Sequence, residues 1–185
     1  MNLLLDKLPT EHEGLKIETN FRSFILFELL MQDNKVSEQD KIALALNIFY
    51  KEIPKDIKKA IDVILWFYAG GDTSKKSGKK EEKSGKDRIY SYEHDANSIF
   101  SAFWHDYRLD LNEIEYLHWW KFKSLFEDLN DENKICKIMS YRAVDLSKIK
   151  DKKQRDKYKK LKSTYALPDE RTEQEKEQDF ADAFW

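Results

Sequence analysis

The sequence is poor in the residues that usually carry a covalent frame or a cofactor: its 185 residues include one cysteine, four histidines, five glycines and three prolines. A lone cysteine, Cys136, excludes an internal disulfide and fits a reducing compartment. No glycine-rich phosphate loop is present, because Gly70-Gly71 runs into Asp72-Thr73 and not into a Gly-Lys-Ser/Thr ending. The longest apolar run, Val63 to Ala69, is far below the ~20 residues that cross a bilayer. The run Leu3 to Leu5, stopped by Asp6, is too short for the apolar core of a signal peptide. A soluble cytoplasmic chain with no membrane partner is the expectation. Neither sign of charge dominates, since 33 Lys/Arg and 35 Asp/Glu leave a formal net charge of −2. Affinity for nucleic acid would therefore have to be local.

What is abundant is charge and aromatic area together. Charged residues make up 37% of the chain, against roughly 25% in an ordinary domain. The 14% that are aromatic need an interior to pack into. The periodicity is helical and predicts a mainly α protein, a small multi-helix bundle of six to seven helices with a short N-terminal hairpin around Leu15, Ile17 and Thr19. Asn20 is a candidate cap for a helix over 21–32, ended near Asn34. Ser37 with Asp40 has capping-box spacing ahead of Ile42, Ala45, Leu46 and Phe49. Pro54 suits the first turn of a third helix, with Ile57, Ile61, Ile64, Leu65 and Tyr68 as its stripe and Gly70 as its stop. Asp95 is a candidate cap for a fourth helix whose apolar face is Ile99, Phe100, Phe103, Trp104 and Tyr107. A fifth is expected over 112–129, a sixth over 134–142 and a charged seventh over 148–164. These elements fall into an N-terminal helical region 1–70, a flexible Lys/Gly/Ser-rich loop 71–88, a C-terminal helical region 89–166, and an acidic tail 167–185 with an apolar end.

No catalytic, cofactor or metal site emerges from the pattern. Glu115 and His118 have the Glu-x-x-His spacing of carboxylate-bridged di-iron bundles, but none of His12, His94 or His105 supplies the second copy such a site needs. His118 reads instead as a hydrogen-bonded histidine near the core. Cys136 reads as a small packing residue, with no activating neighbour in the sequence.

Protein binding is the better-supported reading. On the expected fifth helix Ile114, His118, Trp119, Phe122, Leu125, Phe126 and Leu129 share one arc, whereas Tyr116, Leu117 and Trp120 lie outside it. Both faces can be core, as aromatic stripes usually are. The sharper reading makes Tyr116, Leu117 and Trp120, with Phe24 and Phe27 of the first helix, a surface for a partner or a second copy.

Two charge runs add to this. From Lys148 to Lys162 nine Lys/Arg face two acids, a local net of +7. Residues 169–182 carry seven acids against Arg171 and Lys176, a local net of −5. The basic run reads first as a solvated helix face and second as a nucleic-acid contact. The acidic run can screen it within the chain or in a neighbour, while Phe180, Phe184 and Trp185 make the end a short amphipathic element able to dock in a groove.

Three blocks carry a family resemblance: Asn20-Phe21-Arg22-Ser23-Phe24-Ile25-Leu26-Phe27-Glu28-Leu29-Leu30, then Leu117-His118-Trp119-Trp120-Lys121-Phe122-Lys123-Ser124-Leu125-Phe126, then Ile138-Met139-Ser140-Tyr141-Arg142. Tyr158-Lys159-Lys160-Leu161-Lys162 and Tyr165-Ala166-Leu167 extend it. In these the chain resembles the small tail-assembly chaperones of long-tailed bacteriophages with non-contractile tails, encoded beside the major tail and tape-measure proteins. The resemblance implies a helper and not an enzyme. It would coat the tape-measure protein in the host cytoplasm, help recruit tail-tube subunits, and be absent from the mature virion. It brings no catalytic residues. A structural tail or connector component and a nucleic-acid-binding regulator remain the alternatives.

Overall fold

The computed structural model describes residues 3–71 and 88–168. The expected loop 71–88 and acidic tail, with Phe180, Phe184 and Trp185, lie almost wholly outside the described residues. The fold is mainly α, with seven α-helices and one two-stranded hairpin among the described residues. The chain divides into two compact units. Residues 109–128 join the N-terminal region in the first, and the second combines 88–108 with 129–168. The expected grouping of the aromatic helix with the C-terminal region is therefore corrected.

In the first unit, β1 (Glu11–His12) pairs antiparallel with β2 (Leu15–Lys16). The two turn residues, Glu13 and Gly14, have φ of 51° and 77°, the left-handed twist that a two-residue hairpin needs. Helix α1 (Phe21–Gln32) is capped by Asn20, whose side-chain oxygen accepts from Arg22 N at 3.2 Å. It buries Phe21, Phe24 and Phe27, three residues apart on one face. Helix α2 (Glu38–Phe49) starts at Ser37, whose hydroxyl accepts from Asp40 N and donates to Asp40 Oδ2 at 2.6 Å.

Helix α3 (Ile57–Tyr68) begins three residues after Pro54, and not at it. Asp56 supplies the acceptor, to Lys59 N at 3.0 Å, and a side-chain acceptor decides where the first turn closes. Gly70 and Gly71, both at positive φ, end α3 by donating to Phe67 O and Trp66 O. Tyr50 ties α2 to α3 by donating its phenol proton to Ala60 O at 2.9 Å, and burial pushes its pKa up to about 12.

Helix α4 (Ala96–Tyr107) belongs to the second unit, and the next, α5 (Trp119–Glu127), to the first. Helix α5 is seven residues shorter at its start than the expected 112–129. Leu117 O accepts from Phe21 N, and Trp119 N donates to Thr19 O, both at 2.9 Å. Those bridge bonds hold the backbone of Leu117 and His118 extended, so the helical periodicity upstream of them is overridden by a long-range pairing.

In the second unit α4 ends at Arg108, which takes the left-handed conformation at φ 54°. Helix α6 (Lys134–Ala143) buries Ile135 and Ile138. Its approach is pinned by Asp106, whose carboxylate accepts from Asn130 N at 2.9 Å and Asn133 Nδ2 at 2.6 Å. A short 3-10 turn (Leu146–Lys148) and α7 (Lys152–Thr164) replace the single expected helix 148–164. The break follows from Asp151, which caps α7 through Gln154 N at 2.7 Å. Helix α7 rests on α6 through Tyr158 and Tyr165 against Tyr141, with ring centroids 6.3 and 5.7 Å apart.

Candidate protein-binding surface

The two tryptophans of the His-Trp-Trp block close the C-terminal end of α3. Trp120 Nε1 donates to Phe67 O at 2.7 Å and Trp119 Nε1 donates to Tyr68 O at 3.1 Å. The last carbonyls of a helix lack their usual partners within it, so the two indoles add donors there, to Tyr68 O and, beside the Gly70 amide, to Phe67 O. Around them the rings interlock. Trp119 stacks on Phe24 with centroids 5.1 Å apart, and Trp120 lies 5.2 Å from Trp66, itself stacked on His12 at 3.8 Å. Phe27 meets Phe49 and Tyr68 edge-on. A Cβ at Gly71 would stand 2.7 Å from Trp120 Cη2, so only glycine lets the chain pass.

His118 is the N-cap of α5. Its Nδ1 accepts from Trp120 N at 3.1 Å, which fixes the neutral tautomer with the proton on Nε2, and Nε2 donates to Pro9 O at 2.9 Å. Burial lowers its pKa, the Pro9 bond works against that, and the nearby Lys121 charge lowers it further. Glu115 is exposed and lies outside any helix, so the Glu-x-x-His pair does not share a helical face. Among the described residues no group of three or more His, Cys, Asp or Glu is placed to hold a metal ion. Cys136 lies half-buried in α6, with burial the first cause of its raised pKa.

The residues expected to form a partner surface separate. Phe24, Phe27, Leu117 and Trp120 are all interior, Trp120 only 5% exposed, and this corrects their reading as an open face. Their reach into the α1–α3–α5 core, with the indole bonds to α3, explains why. Tyr116 alone stays out, 51% exposed, with its phenol oxygen 2.8 Å from Thr19 Oγ1. The tether holds the ring in one place while leaving it on display.

Other apolar groups are displayed instead. On α3 the core side is Ala60, Val63, Ile64 and Phe67, which rotates the expected stripe outward. Ile57 and Leu65 are 40% and 46% exposed with half-buried Ile61 between them, and the four-residue spacing lines all three along one face. Leu26 of α1 and Leu44 of α2 are exposed as well. In the second unit Trp104 of α4 is 47% exposed, although its helix periodicity assigns it to the core. The signal for Ile57 and Leu65 was present in the sequence: α3 has more apolar positions than one buried face can use. Among the described residues no helix is long and apolar enough to cross a membrane.

Residues 4–167 match the family model described as Bacteriophage Gp15 protein. The chain belongs to this bacteriophage protein family, and its role is structural or in assembly. No curated protein and no solved structure matches it significantly.

Proposed function

We propose that this protein is a tail-assembly chaperone that binds the tape-measure protein of its phage in the host cytoplasm, helps recruit tail-tube subunits, and is left out of the virion. The observation that carries the reading is the apolar row on α3, with Ile57 and Leu65 exposed and Ile61 half-buried between them, in a chain whose remaining surface is rich in charge. An extended helical client with apolar stripes is kept soluble by a partner that covers those stripes and turns charged groups to water. Membership of a phage family and the resemblance of the His-Trp-Trp-Lys-Phe block to tail chaperones support the same role. The surface is then the α3 row and not Trp120, whose indole serves the fold.

Co-expression with the tape-measure protein and size-exclusion chromatography of the soluble fraction test the proposal. A shared high-mass peak is the expected result. A structural tail or connector component is the second reading, since the family match alone fits either role. Presence of the protein in purified virions at stoichiometric amounts would decide for it.

A further inference from the structure

We propose that the outer face of α7 is a binding surface for double-stranded DNA, held through its phosphates without sequence preference. On α7 the side chains of Lys152, Lys153, Arg155, Lys157, Lys159 and Lys160 are all exposed, and Asp156 is the one acid within that run. Among the described residues none of the six forms an ion pair, whereas elsewhere in the second unit Lys137, Arg142 and Lys148 meet Glu132, Asp95 and Asp145. At helical spacing the six fall into two rows, Lys152–Arg155–Lys159 and Lys153–Lys157–Lys160, on either side of Asp156. Like charges three and four residues apart repel along each row, and a polyanion relieves that repulsion. The inner side of the helix is already taken: Tyr158 and Tyr165 meet Tyr141, and Lys162 Nζ donates to Val144 O at 2.9 Å. From Lys152 to Lys157, however, every residue is exposed, so the first half of α7 is open on all sides.

The chemistry of the face selects the partner. Its exposed residues include no apolar side chain, and a protein partner needs an apolar centre to its interface. They include no aromatic ring either, since both tyrosines of the helix end turn to Tyr141, so the bases of a single strand find nothing to stack on. Cations with Ser163 beside them are what phosphate oxygens take. An α-helix is about 10–12 Å across and the major groove of B-form DNA about 12 Å wide, so the open part of α7 fits that groove with one basic row towards each phosphate wall. The major groove of an RNA duplex is too narrow for this. The surface lies in the second unit and the α3 row in the first, so this inference does not depend on the chaperone reading.

The test is fluorescence anisotropy of a labelled DNA duplex of about 20 base pairs and mixed sequence, titrated with the full-length protein from about 50 to about 200 mM salt. Binding that weakens by roughly 1,000-fold across that range, as about six phosphate contacts require, is the expected result. Neutralising one row with Lys153→Gln/Lys157→Gln/Lys160→Gln should weaken binding and lower the slope of log affinity against log salt by about three, and arginine at the same positions should preserve both. All three side chains are exposed, so both variants should keep the unaltered circular dichroism spectrum. A control, Lys51→Gln/Lys55→Gln/Lys58→Gln, makes the same charge change at exposed positions of the first unit and should bind as the unaltered chain does. Absence of binding at low salt, or equal weakening in the control, overturns the proposal. Equal affinity for the single strand or for an RNA duplex of the same length overturns it too, and equal affinity for polyglutamate assigns the face to an acidic protein instead.

Discussion

Arg142 grips Asp95 with two parallel bonds, Nη1 to Oδ2 and Nη2 to Oδ1, and both side chains are more than nine-tenths buried. The same guanidinium donates to Ile89 O and Tyr165 O, while Asp95 also accepts from Ser91 N. One ion pair thus ties the 88–91 segment, the start of α4, α6 and the end of α7. Removing one member leaves a buried charge without its partner, so Arg142→Ala should destabilise the second unit by roughly 3–5 kcal/mol, and the double change Arg142→Met/Asp95→Leu by much less. Urea unfolding followed at Trp104 checks this.

Gly71 is held at φ 78° under the Trp120 ring. Gly71→Ala combines an unfavourable backbone with a side-chain clash and should cost about 1–3 kcal/mol in the first unit. The near-UV circular dichroism of the packed tryptophans should weaken with it, and an unchanged unfolding midpoint would refute the close approach.

His118 makes the first unit sensitive to acid. Its ordinary pKa of 6.5 is lowered in the fold, chiefly by burial. The unfolded chain therefore takes up this proton first as pH falls, so the contribution to stability is full above pH 6.5 and declines as pH drops from there towards the folded pKa. Protonation at Nδ1 also removes the acceptor for Trp120 N. The urea midpoint should fall between about pH 7.5 and about pH 5.5, with a shallower slope in His118→Asn, which keeps a capping oxygen without titrating. Equal slopes in the two proteins would contradict this.

Trp120→Ala should behave as a core truncation, losing about 3–5 kcal/mol of stability, because its indole fills space between Trp66 and Phe67 and caps α3. Loss of partner binding in that variant would follow from loss of the fold.

Local chemistry made much of this legible in the sequence, and long-range pairing hid the rest. The caps at Asn20 and Ser37 and the bounds of α1 follow from neighbours a few residues apart, and they stand as expected. The start of α5 does not, because Thr19 and Phe21 compete for the backbone of Leu117 and Trp119 across about a hundred positions. The same competition carries α5 into the N-terminal unit. Trp120 takes an interior setting for a related reason. Periodicity shows which residues share a face, but which face is covered depends on the end of α3 finding two indole donors. The exposed apolar area lies with Ile57 and Leu65 and not with Trp120, and Tyr116 is exposed as well.

The most direct test of the chaperone proposal is co-expression of the tape-measure protein with either the unaltered chain or an Ile57→Ser/Leu65→Ser variant, each analysed by size exclusion. Both substituted side chains are exposed, so the variant should fold with a stability change within about 1 kcal/mol. The unaltered chain should co-elute with the tape-measure protein in a high-mass peak, and the variant should leave it insoluble. Co-elution that survives the double substitution would contradict the α3 surface, and absence of co-elution for the unaltered chain would contradict chaperoning itself.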